Sequence, residues 1–215
     1  MNGHVSSAPL CFLSMVFAGC EDITSSHEEA DVRACFGNYR TAILAEEGQE
    51  ALRFVDRRTL DYYGRILDIA LRGNRETVAG LSTINKLMVL ILRHRIPLDS
   101  LKEMTAESLF IHAAEHGWVG KNDVIANELG KVVVFGTYAL AVHISVGQES
   151  PFQYRFEKED GRWKLDLTSI MPVVDQCFKQ VIRESGLPED EYLFSLIESD
   201  SGRKVSDTIW DPIVK

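Results

Sequence analysis

The sequence predicts an α+β domain in which helices cover a curved antiparallel sheet, and three observations lead there. Apolar residues recur at spacings of three and four through the first half of the chain. Between about Val124 and Thr168 they alternate or run in β-branched blocks, and after Pro172 the helical period returns. The chain has 215 residues, the size of one larger domain, with no internal repeat, low-complexity tract or linker.

The first helix is predicted over Glu28–Glu46, where Val32, Cys35, Phe36, Tyr39, Ile43 and Leu44 form one face. Ser25 and Ser26 are its capping candidates and Gly48 its stop. The second, Asp56–Leu71, carries Leu60, Tyr63, Ile66, Leu67 and Ala70 and ends at Arg72-Gly73-Asn74. The third, Glu76–His94, carries Val78, Leu81, Ile84, Leu87, Met88, Ile91 and Leu92. Its basic end, Arg93-His94-Arg95, complements the helix dipole. Ala106–His116 is a fourth, closed by Gly117.

A strand over about Asp123–Glu128 turns at Gly130-Lys131 into Val132–Ile144, VVVFGTYALAVHI, apolar enough on both faces for one central strand. Phe152, Tyr154 and Phe156 then alternate with polar residues, as do Trp163, Leu165 and Leu167. Asp160-Gly161 between them is a strong hairpin signal. After Pro172, Val174, Cys177, Phe178, Val181 and Ile182 predict a helix with Cys177 as a small core residue, stopping at Gly186. A short helix over Glu189–Ile197 follows, then a tail from Ser201 whose Val205, Ile209 and Trp210 should cover apolar surface.

At the strand Gly161-Arg162-Trp163-Lys164-Leu165-Asp166-Leu167, the arrangement resembles the nuclear transport factor 2-like (SnoaL-like) superfamily, over Glu28 to Thr168. That resemblance implies a cone, in which a bent sheet wraps three helices around a pocket open at one end. Residues 74–117 would then be a helical insertion, and 172–215 a C-terminal helical extension. Members include isomerases, dehydratases and cyclases, and others that only bind or assemble, so the resemblance implies a pocket without choosing a reaction.

The formal charge of -9 argues against a nucleic-acid surface, and Arg53, Arg57 and Arg58 read as a solvated helix face. The four cysteines at 11, 20, 35 and 177 make no CxxC, so structural zinc is not expected; a Cys35–Cys177 bridge is left open. No phosphate loop, HExxH, GxSxG or dinucleotide fingerprint occurs, and no cofactor is expected.

Residues 1–24 hold the apolar run APLCFLSMVFAG before Cys20, which resembles a bacterial lipoprotein signal although residues 1–7 contain no Lys or Arg. Two readings stand. Cys20 is lipidated and tethers the 25–215 domain in the bacterial periplasm or cell envelope, or the segment is an ordinary N-terminus of a cytoplasmic protein.

Catalytic candidates are His143, Asp56, Asp61 and Tyr63. His143 has small neighbours, Ala139 and Ala141, on a face shared with Phe135, and could act as a base in a pocket. The plainer readings are Asp56 as a helix cap, Tyr63 as core and His143 as a satisfied buried histidine. Tyr63, Tyr138, His143 and Trp163 are the ligand-binding candidates, and Arg155 with Asp166 a cross-strand pair. The expected function is a non-catalytic module holding a small apolar molecule or a protein partner, with a homodimer through the sheet also open. The alternative is a cofactor-independent isomerase or lyase using a pocket His and carboxylate.

Overall fold

The computed structural model of the chain describes residues 20–118 and 127–214, with side chains from residue 26 onward. Residues 1–19, the Cys20 side chain, and residues 123–126 of the expected first strand lie outside the described residues.

The N-terminal half is helical. Helix α1 (Cys20–Leu44) runs straight through the expected caps Ser25 and Ser26, and a short α2 (Gly48–Ala51) follows. Helix α3 (Arg57–Arg72) starts where Asp56 accepts from the Thr59 amide, a hydrogen-bonded N-cap. The expected Glu76–His94 helix is two, α4 (Arg75–Ala79) and α5 (Thr83–Arg95). The break at Gly80-Leu81-Ser82 is held from outside, because the Asp175 carboxylate accepts from the Ile84 amide at 3.0 Å. Helices α6 (Leu98–Glu103) and α7 (Ala106–Glu115) complete this half, α7 opening on a Thr105/Ser108 capping box.

The sheet corrects two expectations. The stretch Val132–Ile144 is a hairpin of β1 (Asn127–Phe135) and β2 (Tyr138–Ser145), turning at Gly136-Thr137. Gly136 sits at φ +69°, which glycine reaches without strain, and so the chain reverses where apolarity alone suggested continuation. Strand β3 (Gln148–Glu159) and β4 (Arg162–Asp166) join through Asp160-Gly161 at φ 49° and 75°, as the sequence signal required.

The second correction concerns shape. The four strands form an open antiparallel meander in the order β1-β2-β3-β4, neither curved over nor closed, so the expected cone is not formed. Three two-residue turns return each strand beside its predecessor and leave β1 and β4 as separate edges.

Helices pack on one face of this meander. Ala139, Ala141, Phe156 and Leu165 of that face are fully buried. Arg33 of α1 donates to the carbonyls of Leu129 and Gly130 at 3.0 and 2.7 Å, where the β1 register shifts and the ladder leaves them free.

The chain after β4 forms α8 (Met171–Ser185) and α9 (Glu189–Ser201). These helices and α4–α7 share one continuous core with the sheet, including Val78, Leu90, Phe110, Leu193 and Ile197. Arg93 ties the C-terminal tail to α3, donating to the carbonyls of Ala70, Gly73 and Ile209. Cys177 is exposed, which corrects its assignment to the core: Ile182 and the half-buried Val174 and Phe178 set the inward side of α8. Cys35 is buried, and both thiols are free. No helix among the described residues is long and apolar enough to cross a membrane.

Candidate functional site

The inward faces of α1, α3, α5, α7 and α8 do not close completely on β3 and β4. They leave a cavity of about 340 Å³. Its wall is built by the helical spacings seen in the sequence: Phe36 and Tyr39 from α1, Tyr63 from α3, Leu87, Met88 and Ile91 from α5, Leu109 and Ala113 from α7. Tyr154 and Leu165 come from the sheet, Val174 and Phe178 from α8. Trp118 and Asn127 also line it, flanking segment 119–126 in the chain. Among the described residues the lining holds no Asp, Glu, Lys, Arg or His.

Polarity enters the wall through three phenols and the Asn127 amide. Tyr39 is 2% exposed, and its hydroxyl has no hydrogen-bond partner among the described residues. Burial, followed by the adjacent Tyr63 and Tyr154, pushes its pKa well above the ordinary phenol value, so it stays a neutral O–H. Tyr63 stands edge-on to Phe110 at 5.4 Å, and burial raises its pKa as well. The Tyr154 hydroxyl accepts from Asn127 Nδ2 at 3.3 Å.

Beside Trp118 the rings of His112 and His116 stack 3.9 Å apart, with the indole edge-on to His112 at 4.9 Å. Burial, then its neighbour His116, lowers the His112 pKa and favours its uncharged ring at neutral pH. The Arg95 guanidinium lies over the Trp118 ring at 5.5 Å and pairs with Asp200.

The four catalytic candidates occupy four separate environments. Asp56 is fully buried; its Oδ1 accepts from the Thr59 amide at 2.9 Å and from the Thr59 hydroxyl at 2.7 Å. Burial lifts its carboxyl pKa above the usual range against those two bonds, and Oδ2 has no partner among the described residues. Asp61 lies on the wall of a wide open groove with Arg57, Arg65, Glu107, Glu159 and Lys164. Tyr63 lines the cavity. The His143 ring is 5.3 Å from that of Tyr154, and its Nδ1 lies 2.7 Å from the Ser150 hydroxyl.

Of the ligand-binding candidates, only Tyr63 is in the cavity wall. Tyr138 is on the sheet's other face, stacked on Phe135 at 5.0 Å and under the Arg155 guanidinium at 4.4 Å. Trp163 wedges between β4 and α1, donating its indole N–H to Glu28 at 2.7 Å. Arg155 does face Asp166 in register, but its charge partner is Glu157 at 2.6 Å, while Arg58 bridges Glu157 and Asp166. Tyr39, Tyr154 and Asn127 were missed by the sequence reading. Tyrosines recurring on three inward faces, at 39, 63 and 154, were the available signal, since a buried phenol needs a partner for its tip.

Among the described residues no three His, Cys, Asp or Glu side chains cluster as a metal ion would require. No protein-family model matches the chain, and neither does any curated protein or solved structure. The class is therefore set by geometry: an α+β domain with an open meander, helices on one face, and an apolar cavity between them.

Proposed function

We propose that this chain is a non-catalytic binding module that holds one small apolar molecule in the helix–sheet cavity. The observation that carries it is the cavity itself: about 340 Å³, at the small end of ligand-site volumes, with an apolar lining and three phenols. Well-packed interiors leave few voids larger than a water, and apolar cavities of even ~150 Å³ take up apolar guests. The enzyme alternative is weaker, because its base and its hydrogen-bond donor do not meet. His143 and Asp56 are outside the lining, and Asp61 is in the open groove. A base needs hydrogen-bond reach, about 2.6–3.2 Å or one water, to the proton it removes.

Naphthalene is a suitable probe. Titrated to about a hundred times its Kd, it should stabilise the folded chain by about 2.7 kcal/mol in thermal unfolding. Its binding should show a negative heat-capacity change in calorimetry. Ala113→Leu pushes a larger side chain into the wall and should abolish both signals while the variant keeps its native circular dichroism. A wild-type chain whose unfolding midpoint ignores naphthalene would remove the basis of this reading.

A further inference from the structure

An apolar cavity with an unpaired donor in its wall is specific about what can fill it. Leaving a buried hydroxyl without a partner costs about 1–3 kcal/mol, so an occupant that supplies one is favoured over a hydrocarbon of equal size. Tyr39 is such a hydroxyl, unpartnered among the described residues in a side chain 2% exposed. Tyr63 brings a second phenol to the same wall, and each phenol lies within electrostatic reach of the other.

From this we infer that the ligand is uncharged and carries one acceptor oxygen, of the ketone or ester carbonyl class, received by the phenols of Tyr39 and Tyr63. The inference rests on the binding-module reading and deepens it. Three observations support the choice of group. The first is that the unmet Tyr39 hydroxyl has a proton to donate. A carbonyl takes it by accepting alone and adds no second proton for the phenol oxygens to receive.

The second is the missing countercharge. No Lys, Arg or His lines the cavity among the described residues; Arg95, over Trp118, is outside the lining and paired to Asp200, though its Nε has no hydrogen-bond partner among the described residues. A carboxylate placed there would lose its hydration without gaining a cation, which is costly enough to exclude it. The third is that no carboxylate lines the cavity among the described residues either, so an ammonium group meets the same penalty. At about 30 Å³ per water, the volume equals roughly eleven waters, room for a two-ring or medium-chain molecule with one polar end.

The test uses three probes of nearly equal size: ethylnaphthalene, acetylnaphthalene and naphthoate, titrated calorimetrically into the full chain. Acetylnaphthalene should bind about tenfold more tightly than ethylnaphthalene, the worth of roughly 1.4 kcal/mol. Naphthoate should bind at least about a hundredfold more weakly than the ketone. In the double variant Tyr39→Phe, Tyr63→Phe the ketone preference should fall to about one while ethylnaphthalene binds as before. A crystal of the wild-type complex reads the same contact independently, with the ketone oxygen about 2.7–2.8 Å from a phenol oxygen.

A ketone preference that survives in the double variant overturns the inference and leaves the apolar-binding reading intact. Equal binding of ketone and hydrocarbon to the wild type does the same, and so does naphthoate binding tightest. If none of the three binds, both the inference and the reading beneath it fail.

Discussion

Two of the molecule's concavities share helix α3 and strand β4, and they differ in a respect that matters for recognition. The groove over Asp61, Arg65 and Lys164 is the larger, about 1320 Å³, but it is wide open and lined by charges of both signs. Water and neighbouring charges already satisfy such groups, so a newcomer gains little. The cavity beneath Tyr39 and Tyr63 holds about a quarter of that volume, but its lining is largely apolar and keeps a hydroxyl that is unmet among the described residues. Neighbouring residues are divided between them. Lys164 lines the groove and Leu165 the cavity, because successive strand residues point to opposite faces. Asp61 and Tyr63, two positions apart on α3, are likewise split. Volume alone would favour the groove; unmet bonding capacity favours the cavity.

That contrast can be broken by substitutions on its two sides. The largest effect should come from Leu165→Ala, since Leu165 is fully buried, lines the cavity and accepts from the Asp56 amide. It should cost about 2–5 kcal/mol in urea unfolding and enlarge the cavity enough to admit bulkier probes. A loss near zero would mean that the cavity is not walled as described.

Asp56, whose chain neighbours Val55 and Arg57 line the groove, should give an intermediate, pH-dependent effect. Its folded-state pKa is raised by burial, so the folded chain holds that proton more tightly than the unfolded one. The associated stability is present below the ordinary Asp value and is lost as pH rises through the folded value. Asp56→Asn keeps an oxygen to cap Thr59 and removes the buried charge. The variant should therefore gain on wild type as pH rises from about 3 to about 8, a window that brackets the ordinary Asp pKa. Chemical denaturation at each pH reads the difference directly, and a gap that narrows with rising pH contradicts the assignment. The smallest effect belongs to the groove, where Asp61→Asn should change stability by less than about 0.5 kcal/mol and leave naphthalene binding untouched.

Local chemistry was legible where one residue or dipeptide decides the outcome. Asp160-Gly161 makes its hairpin because both positions need positive φ, and Asp56 caps α3 because its carboxylate reaches the Thr59 amide. The turns at Gly136-Thr137 and Val146-Gly147 were not legible. A β-branched valine is a poor choice for φ +51°, and strong apolarity on both sides of Gly136 masked the reversal there. The break between α4 and α5 falls between a Gly80 C-cap and a Ser82 N-cap, a local signal that the unbroken helical period hid. Asp175, ninety-one residues beyond Ile84, accepts from the Ile84 amide there. His143 looked functional because small residues flank it. The structure places its ring edge-on to Tyr154, and Phe36 from α1 packs on the same tyrosine at 5.3 Å.

By itself the sequence determined the α+β class, the helical faces, the closing hairpin and the cap of α3. All of these follow from periodicity or from bonds made within a few residues. Tertiary structure alone decided that the sheet stays open, that Tyr39, Tyr63 and Tyr154 meet, and that Asp56, Asp61 and His143 do not. The physical reason is that a cavity is what remains when several apolar faces fail to close on one another. That shortfall depends on side chains from distant elements at once, so no single stretch of the chain records it.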